Sequence, residues 1–374
     1  MTQAVAQDGS AEVGKTELAR QQAVRQGVDY LRNHGQADDG SFTAQAGPGL
    51  TSLALTAAMR NGLTPDDPMV SKGLKALEGF VKPDGGIYGS GRLKNYETCI
   101  SMICFAEANK TGKYNDVLKR AKEFVTRMQY GAAGDDAEAW YGGSGYSSEG
   151  RPDLSNTSYT IEALRAAEAA PNDPAIQRAL AFVSRCQNLD GKFNDTQFAK
   201  LVNDGGFYYE IPKTAIDPSE SPERFTPNGG LRSYGSMSYA GLKSMIYAGL
   251  TPNDPRVKAA NQWIKMHYAV DENPGMGSGG LYYYYHTFAA ALDVAGVGQV
   301  TDEDGKTHDW RADLVAELAK RQSKDGAWAN DNRRWFENDK NLATSFALLA
   351  LAHCGPQPAA TQPAADGPQP AKNP

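Results

Sequence analysis

The stretch Gln322-Ser-Lys-Asp-Gly-Ala-Trp328 decides how the chain is read, because weaker copies of it and of its flanks recur from end to end. Upstream, Leu314, Leu318 and Arg321 follow a helical period. Downstream come a polar loop and a small-residue helix from Asn341 to Ala352. The unit is therefore helix, Asp-Gly-x-aromatic turn, loop, helix. Asp-Gly suits a tight reversal because Gly tolerates positive φ and Asp bonds amides ahead of it, while the aromatic packs between neighbouring units.

Six such units can be laid out. Outer helices are predicted by the apolar spacing of Val24, Val28 and Leu31; Val70, Leu74 and Leu77; Leu118, Phe124 and Val125; Ile176, Leu180 and Val183; Val257 and Ile264; and Leu314 and Leu318. The turns are read at Asp39-Gly40, Asp84-Gly85, a degenerate Asp136 to Trp140, Asp190-Gly191-Lys192-Phe193, a Gly-rich Gly275 to Tyr282, and Asp325-Gly326. Inner helices align on Ser52-Leu53, Cys99-Ile100, Ser158-Tyr159, Ser238-Tyr239, Thr287-Phe288 and Ser345-Phe346, each running into Ala-rich sequence that permits close helix packing. Three joints are near copies ending in Asp67-Pro68, Asp173-Pro174 and Asp254-Pro255, where Pro can open the next outer helix.

Hairpins of this repeat length stack as a solenoid or close into a ring. Six of them, with no polar capping unit at either end, predict an all-α (α/α)6 toroid, a double ring of helices spanning residues 16–354. Residues 1–15 are expected to be a flexible segment and residues 355–374 a Pro/Ala-rich disordered tail. All inner helices then point one way, and their amino ends gather at one mouth.

Composition narrows the partners. A net charge of −6 with both signs interspersed argues against nucleic acid, and no apolar run is long enough to span a membrane. Cys99, Cys104, Cys186 and Cys354 lack CxxC spacing. The chain reads as cytoplasmic as written, or as secreted or periplasmic if a leader has been removed.

On the Gln322 to Trp328 motif and its near copy Cys186-Gln187-Asn-Leu-Asp-Gly-Lys-Phe193, the chain resembles the toroid superfamily of squalene-hopene cyclases, class II terpene cyclases and protein prenyltransferase β subunits. The resemblance covers about residues 16 to 354. It implies a cavity inside the ring for an isoprenoid or similarly elongated small molecule, and an activity like that of a terpene cyclase/mutase or a prenyltransferase. This chain departs from both patterns. Neither Asp38-Asp39, Asp66-Asp67 nor Asp135-Asp136 completes the cyclases' Asp-x-Asp-Asp acid. The prenyltransferases' zinc ligands are matched only by Glu97-Thr98-Cys99 and His286, which fall in the second and fifth units, across the ring; no cofactor is expected.

The candidate catalytic residues are Glu97, His286 and Asp153, all near inner-helix starts; each also has a structural reading as a helix cap or a hydrogen-bonded core group. Tyr96, Asn156, Tyr234, Tyr282, Tyr285 and Arg232 are candidate ligand contacts. Converging aromatics suit a carbocation or a polar ligand, and six helix amino ends with Arg92, Lys94 and Arg232 nearby would welcome an anion such as a diphosphate. A noncatalytic binding toroid and a carbohydrate-active α/α barrel are the alternative readings.

Overall fold

The computed structural model describes residues 2–132, 138–213 and 217–355, and only the backbone of residues 2–12 and 138. In chain order the helices are α1 (Thr2–Tyr30), α2 (Pro48–Arg60), α3 (Pro68–Glu78), α4 (Lys94–Ala108), α5 (Asn115–Met128), α6 (Leu154–Ala166), α7 (Pro174–Arg185), the short α8 (Ala199–Val202), α9 (Gly235–Tyr247), α10 (Pro255–Met266), α11 (Leu281–Val294), α12 (Trp310–Arg321) and α13 (Lys340–Ala352). A two-residue ribbon, Val300–Thr301 with Thr307–His308, is the only named sheet among the described residues.

Two kinds of helix follow from two kinds of pattern. In α3, Val70, Leu74 and Leu77 are buried while Lys72 and Lys75 face solvent, so one stripe packs inward. In α2, every residue from Pro48 to Met59 is buried, so it must be covered all round. The helices of the second kind, α2, α4, α6, α9, α11 and α13, pack in that sequence, and α13 returns to α2. Helices α1, α3, α5, α7, α10 and α12 lie outside them. The protein is an all-α double ring.

The repeated turns show how the units are joined. Gln322 Nε2 donates to Gly326 O in its own turn (2.8 Å) and to Ala23 O of α1 (3.0 Å). Gln36 bridges Gly40 O and Met69 O, Gln129 bridges Gly142 O and Ala175 O, and Gln187 bridges Gly205 O and Arg256 O in the same way. A primary amide carries two N–H donors, so one side chain ties a turn to the next outer helix. The turn glycines have positive φ, and a Cβ there would strike that helix: 2.6 Å from Lys72 O at Gly40, 2.6 Å from Ala259 O at Gly205, and against Gln26 O of α1 at Gly326. The last turn is thus seated on the first helix as the first four are on their successors. Five of the turns also rest on an inner helix, through Phe42 N–H to Thr51 Oγ1, Ile87 N–H to Thr98 Oγ1, Ser144 N–H to Thr157 Oγ1, Phe207 N–H to Ser238 Oγ and Trp328 N–H to Thr344 Oγ1.

The proline joints place Pro68, Pro174 and Pro255 first in their helices, with Asp67, Asp173 and Asp254 accepting the amide two residues on at 2.9 Å. Two turn assignments need correction. In the fourth unit the hydrogen bonds of the turn belong to Asp204-Gly205-Gly206-Phe207, and Asp190-Gly191-Lys192-Phe193 lies in an excursion before it. In the third unit Gln129 reaches Gly142, later than the expected Asp136, which lies outside the described residues. Helical backbone in α1 also runs back to Thr2, through the segment expected to be flexible. The tail beyond residue 355 lies outside the described residues.

Candidate functional site

The inner-helix amino ends surround a cavity of about 1160 Å³, and all six inner helices line it. Small-molecule sites commonly enclose ~300–1,000 Å³, so this one has room for an elongated ligand. A third of its lining residues are aromatic. Tyr146 packs on Tyr96 (5.6 Å between ring centres), Tyr96 edge-on to Tyr159 (5.7 Å), Tyr159 against Tyr283 (6.3 Å) and Tyr283 against Phe346 (5.6 Å). These rings come from the loop before α6 and from α4, α6, α11 and α13, so the belt crosses most of the ring.

Glu97 lies in the first turn of α4, 2% exposed, and lines the cavity. Its Oε2 accepts Gly89 N–H at 2.8 Å, and its Oε1 lies so close to Gly47 that a side chain at that glycine would collide with it. Burial pushes the carboxyl up to about 7, against the backbone bonds and the distant Lys82 that favour its charge.

Four of the six inner-helix amino ends at this mouth are already occupied by the protein's own acceptors, while α2 and α4 carry no side-chain cap. Asp153 accepts Asn156 N–H (2.8 Å) at α6, Asn273 Oδ1 accepts Ser236 N–H (3.0 Å) at α9, Glu337 accepts Tyr283 N–H (2.8 Å) at α11, and Asp339 accepts Leu342 N–H (3.0 Å) at α13. Lys340 is the one cation among the lining residues, and it bonds Asp325 at 2.6 Å. The expected welcome for a diphosphate is therefore reduced at those four ends, where the partial positive charge meets a protein side chain before any ligand arrives.

Of the residues singled out from sequence, Tyr96, Glu97 and Tyr234 line the cavity. Asp153 and Asn156 sit behind the wall, bonded to each other as a cap; burial raises Asp153 to about 6, and cavity-lining Tyr209 bonds to it. Tyr282 and Tyr285 are turned away, their hydroxyls donating to Ala329 O and Val270 O. A helix aims only about one residue in four at one line, and of the four consecutive tyrosines that residue is Tyr283, whose hydroxyl meets Ser155 Oγ at 2.7 Å. His286 lies beneath the cavity, stacked on Phe346, its Nδ1 without a partner; burial and then Lys243 drive its pKa well below the usual value. Arg232 is exposed on a loop and donates to Pro222 O. The i, i+4 pairs Ser155/Tyr159 and Leu342/Phe346 carried the signal for the missed lining residues.

Cys99 is buried among helices with its thiol pushed up to about 12 by burial, and it does not meet His286. No group of three or more His, Cys, Asp and Glu among the described residues could hold a metal ion. No helix described is long and apolar enough to cross a membrane.

Compared with known proteins, residues 29–211, just under half of the chain, match the squalene-hopene cyclase C-terminal domain family. With the closed double ring, that match supports the terpenoid cyclase-like superfamily for this chain. Similar solved structures include a protein from Actinoplanes (13% identity, 90% of this chain and 99% of that one, TM-score 0.38). A variant of the type II terpene cyclase MstE from Scytonema, in complex with the product merosterolic acid A, is another (13% identity, 91% of this chain and 98% of that one, TM-score 0.31). No curated protein matches the chain.

Proposed function

We propose that the protein holds a neutral, elongated isoprenoid in the aromatic cavity and that Glu97 moves a proton to and from it. One observation carries this reading: Glu97, whose carboxyl burial raises to about 7, lines a cavity crossed by a belt of aromatic rings. A neutral chain loses nothing there, whereas an anion meets Glu97, Glu337 and Asp339.

The step balances without a cofactor. The Glu97 carboxylic acid gives its proton to a carbon of a ligand double bond, leaving a carbocation and a carboxylate that Gly89 N–H still holds. Tyrosine faces stabilise the cation. Loss of a neighbouring C–H proton to the carboxylate restores the acid, so the net change is an isomerisation or cyclisation with no redox component. A sugar would need free hydrogen-bonding groups, and the Asn, Asp and Glu side chains at this mouth are largely spent on backbone amides.

The test is incubation of wild type and Glu97→Gln with squalene and farnesol, following binding and product separately. Both proteins should bind, and the variant should turn over ~100-fold slower or worse. Binding without product in wild type would leave a noncatalytic carrier. Absence of binding would end the isoprenoid reading. The pH dependence has a fixed sign: the folded carboxyl holds its proton to about 7 against a reference of 4.5. Stability relative to Glu97→Gln is therefore greatest below 4.5 and is lost as pH rises toward 7, and turnover falls through the same upper limit.

A further inference from the structure

We infer that residues 331–337 form a strap that closes over the cavity's ligand, with Trp335 as the pivot and Phe336 as the ring that swings inward. Both side chains line the cavity, yet Trp335 is 44% exposed and Phe336 is 79% exposed. An aromatic ring left in water beside an aromatic-walled cavity gains burial by moving a short way inward.

The backbone supplies a second, independent observation. Trp335 (φ 59°) and Phe336 (φ 64°) are consecutive left-handed residues, neither of them glycine or asparagine. Such a pair is unfavourable for residues with a Cβ, and bulky residues rarely adopt it. It persists where the surroundings hold it, and these surroundings hold the strap mainly at its ends. Asn330 N–H donates to Glu337 O, and Asn330 Nδ2 to Glu337 Oε2, both at 2.8 Å. Glu337 Oε1 in turn accepts Tyr283 N–H, tying the strap to the helix that supplies a cavity-wall tyrosine.

Between those anchors the backbone keeps turn bonds, Phe336 N–H to Arg333 O at 3.2 Å and Asp339 N–H to Phe336 O at 2.8 Å, while the side chains are held more lightly. Asn332 caps the amide of Arg334 and reaches Ser278 Oγ only at 3.4 Å, while Arg334 lies over the Trp335 ring. The indole rests on Gly279 and Gly280, where a Cβ would come within 3.7 and 3.1 Å of it. A surface without side chains lets a ring lie flat and turn. The strap thus has fixed ends, an unfavourable middle that a bound ligand can relax, and a smooth seat for its pivot.

This inference rests on the proposed ligand cavity but not on the chemistry of Glu97. Hydrogen exchange and iodide quenching of tryptophan fluorescence would be measured on the full chain with and without saturating farnesol or squalene, with Trp335→Phe assigning the Trp335 signal. Ligand should slow exchange in residues 331–337 by about tenfold and shield Trp335. Phe336→Gly should bind ligand about tenfold more weakly with its melting temperature little changed, because relief at positive φ offsets the added freedom of the unfolded chain. Bound ligand with unchanged exchange in the strap would overturn the inference and leave the cavity reading intact. So would a variant that melts earlier but binds as well as wild type. Ligand-free binding of wild type, but not Phe336→Gly, to phosphatidylcholine vesicles would reassign the pair to a lipid surface. Failure of both probes to bind wild type would remove the cavity reading and the strap together.

Discussion

The two ends of the ring are made from the same six helices and could hardly differ more. At the amino ends the cavity is large and carries a belt of aromatic rings; at the carboxyl ends lies a recess of about 380 Å³, lined by Arg60, Glu107, Lys110, Glu162, Arg165 and Tyr247 among others. Beneath it Lys243 Nζ meets Glu162 Oε2 at 2.5 Å, with both side chains more than nine-tenths buried, and Arg60 lies 3.8 Å from Glu162. The two ends handle charge differently. Short acceptors cap four of the inner helices at their amino ends, where amides point out, while toward the carboxyl ends Arg60 and Lys243 pair with Glu107 and Glu162. One end therefore satisfies its charge with short caps that leave the bore free. The other fills the bore with long side chains, and that filling makes it a floor.

The strongest way to break this contrast is to unpair the floor. Burial alone would raise Glu162, but Lys243 and Arg60 outweigh it and bring the carboxyl down to about 2, so it is charged at any ordinary pH. Lys243→Met should cost about 3 kcal/mol by leaving that charge half-compensated, measured by denaturant unfolding. Adding Glu162→Gln should recover much of the loss. If the single variant is no less stable than wild type, the floor is not held by charge.

Next in size is the seam where the ring closes. Gly326 has φ 87°, and a Cβ there runs into Gln26 O of α1. Gly326→Ala should lose about 2 kcal/mol, combining left-handed strain with displacement of a packed helix. The same substitution at Gly62, also at positive φ but with nothing within 4 Å, should cost only the strain. Equal losses at the two glycines would mean that the contact with α1 contributes little to closure.

These positions also show what could be read from the chain. The hairpins, the Asp-Pro joints and the closing motif were legible because their signals are local: 3.6-residue spacing, a proline at a helix start, a Gln six residues before its Trp. The fourth turn was misplaced because Asp190-Gly191-Lys192-Phe193 and Asp204-Gly205-Gly206-Phe207 both satisfy the local pattern. Only the bond from Gln187 to Gly205, across the excursion, distinguishes them. The site was half legible for a similar reason. Glu97 and Tyr96 open a helix whose start is clear, whereas choosing Tyr283 over Tyr282 and Tyr285 needs the rotation of α11. The left-handed backbone of Trp335 and Phe336 has no signature in residue type, since neither favours it.

The smallest effect is the one that separates wall from scaffold most directly. Tyr283 Oη and Ser155 Oγ join α11 to α6 across the cavity side of the ring at 2.7 Å, whereas Tyr282 Oη reaches Ala329 O at 3.3 Å, away from the cavity. Removing either hydroxyl should cost about 1 kcal/mol of folding stability or less, since each bond is a single neutral one. Farnesol affinity, measured by titration, should therefore respond where stability does not: Tyr283→Phe should change it several-fold, because Ser155 is freed within the cavity wall, and Tyr282→Phe should leave it alone. A shift in affinity from Tyr282→Phe as large as that from Tyr283→Phe would place the ligand on a different face of α11, and with it on a different set of rings.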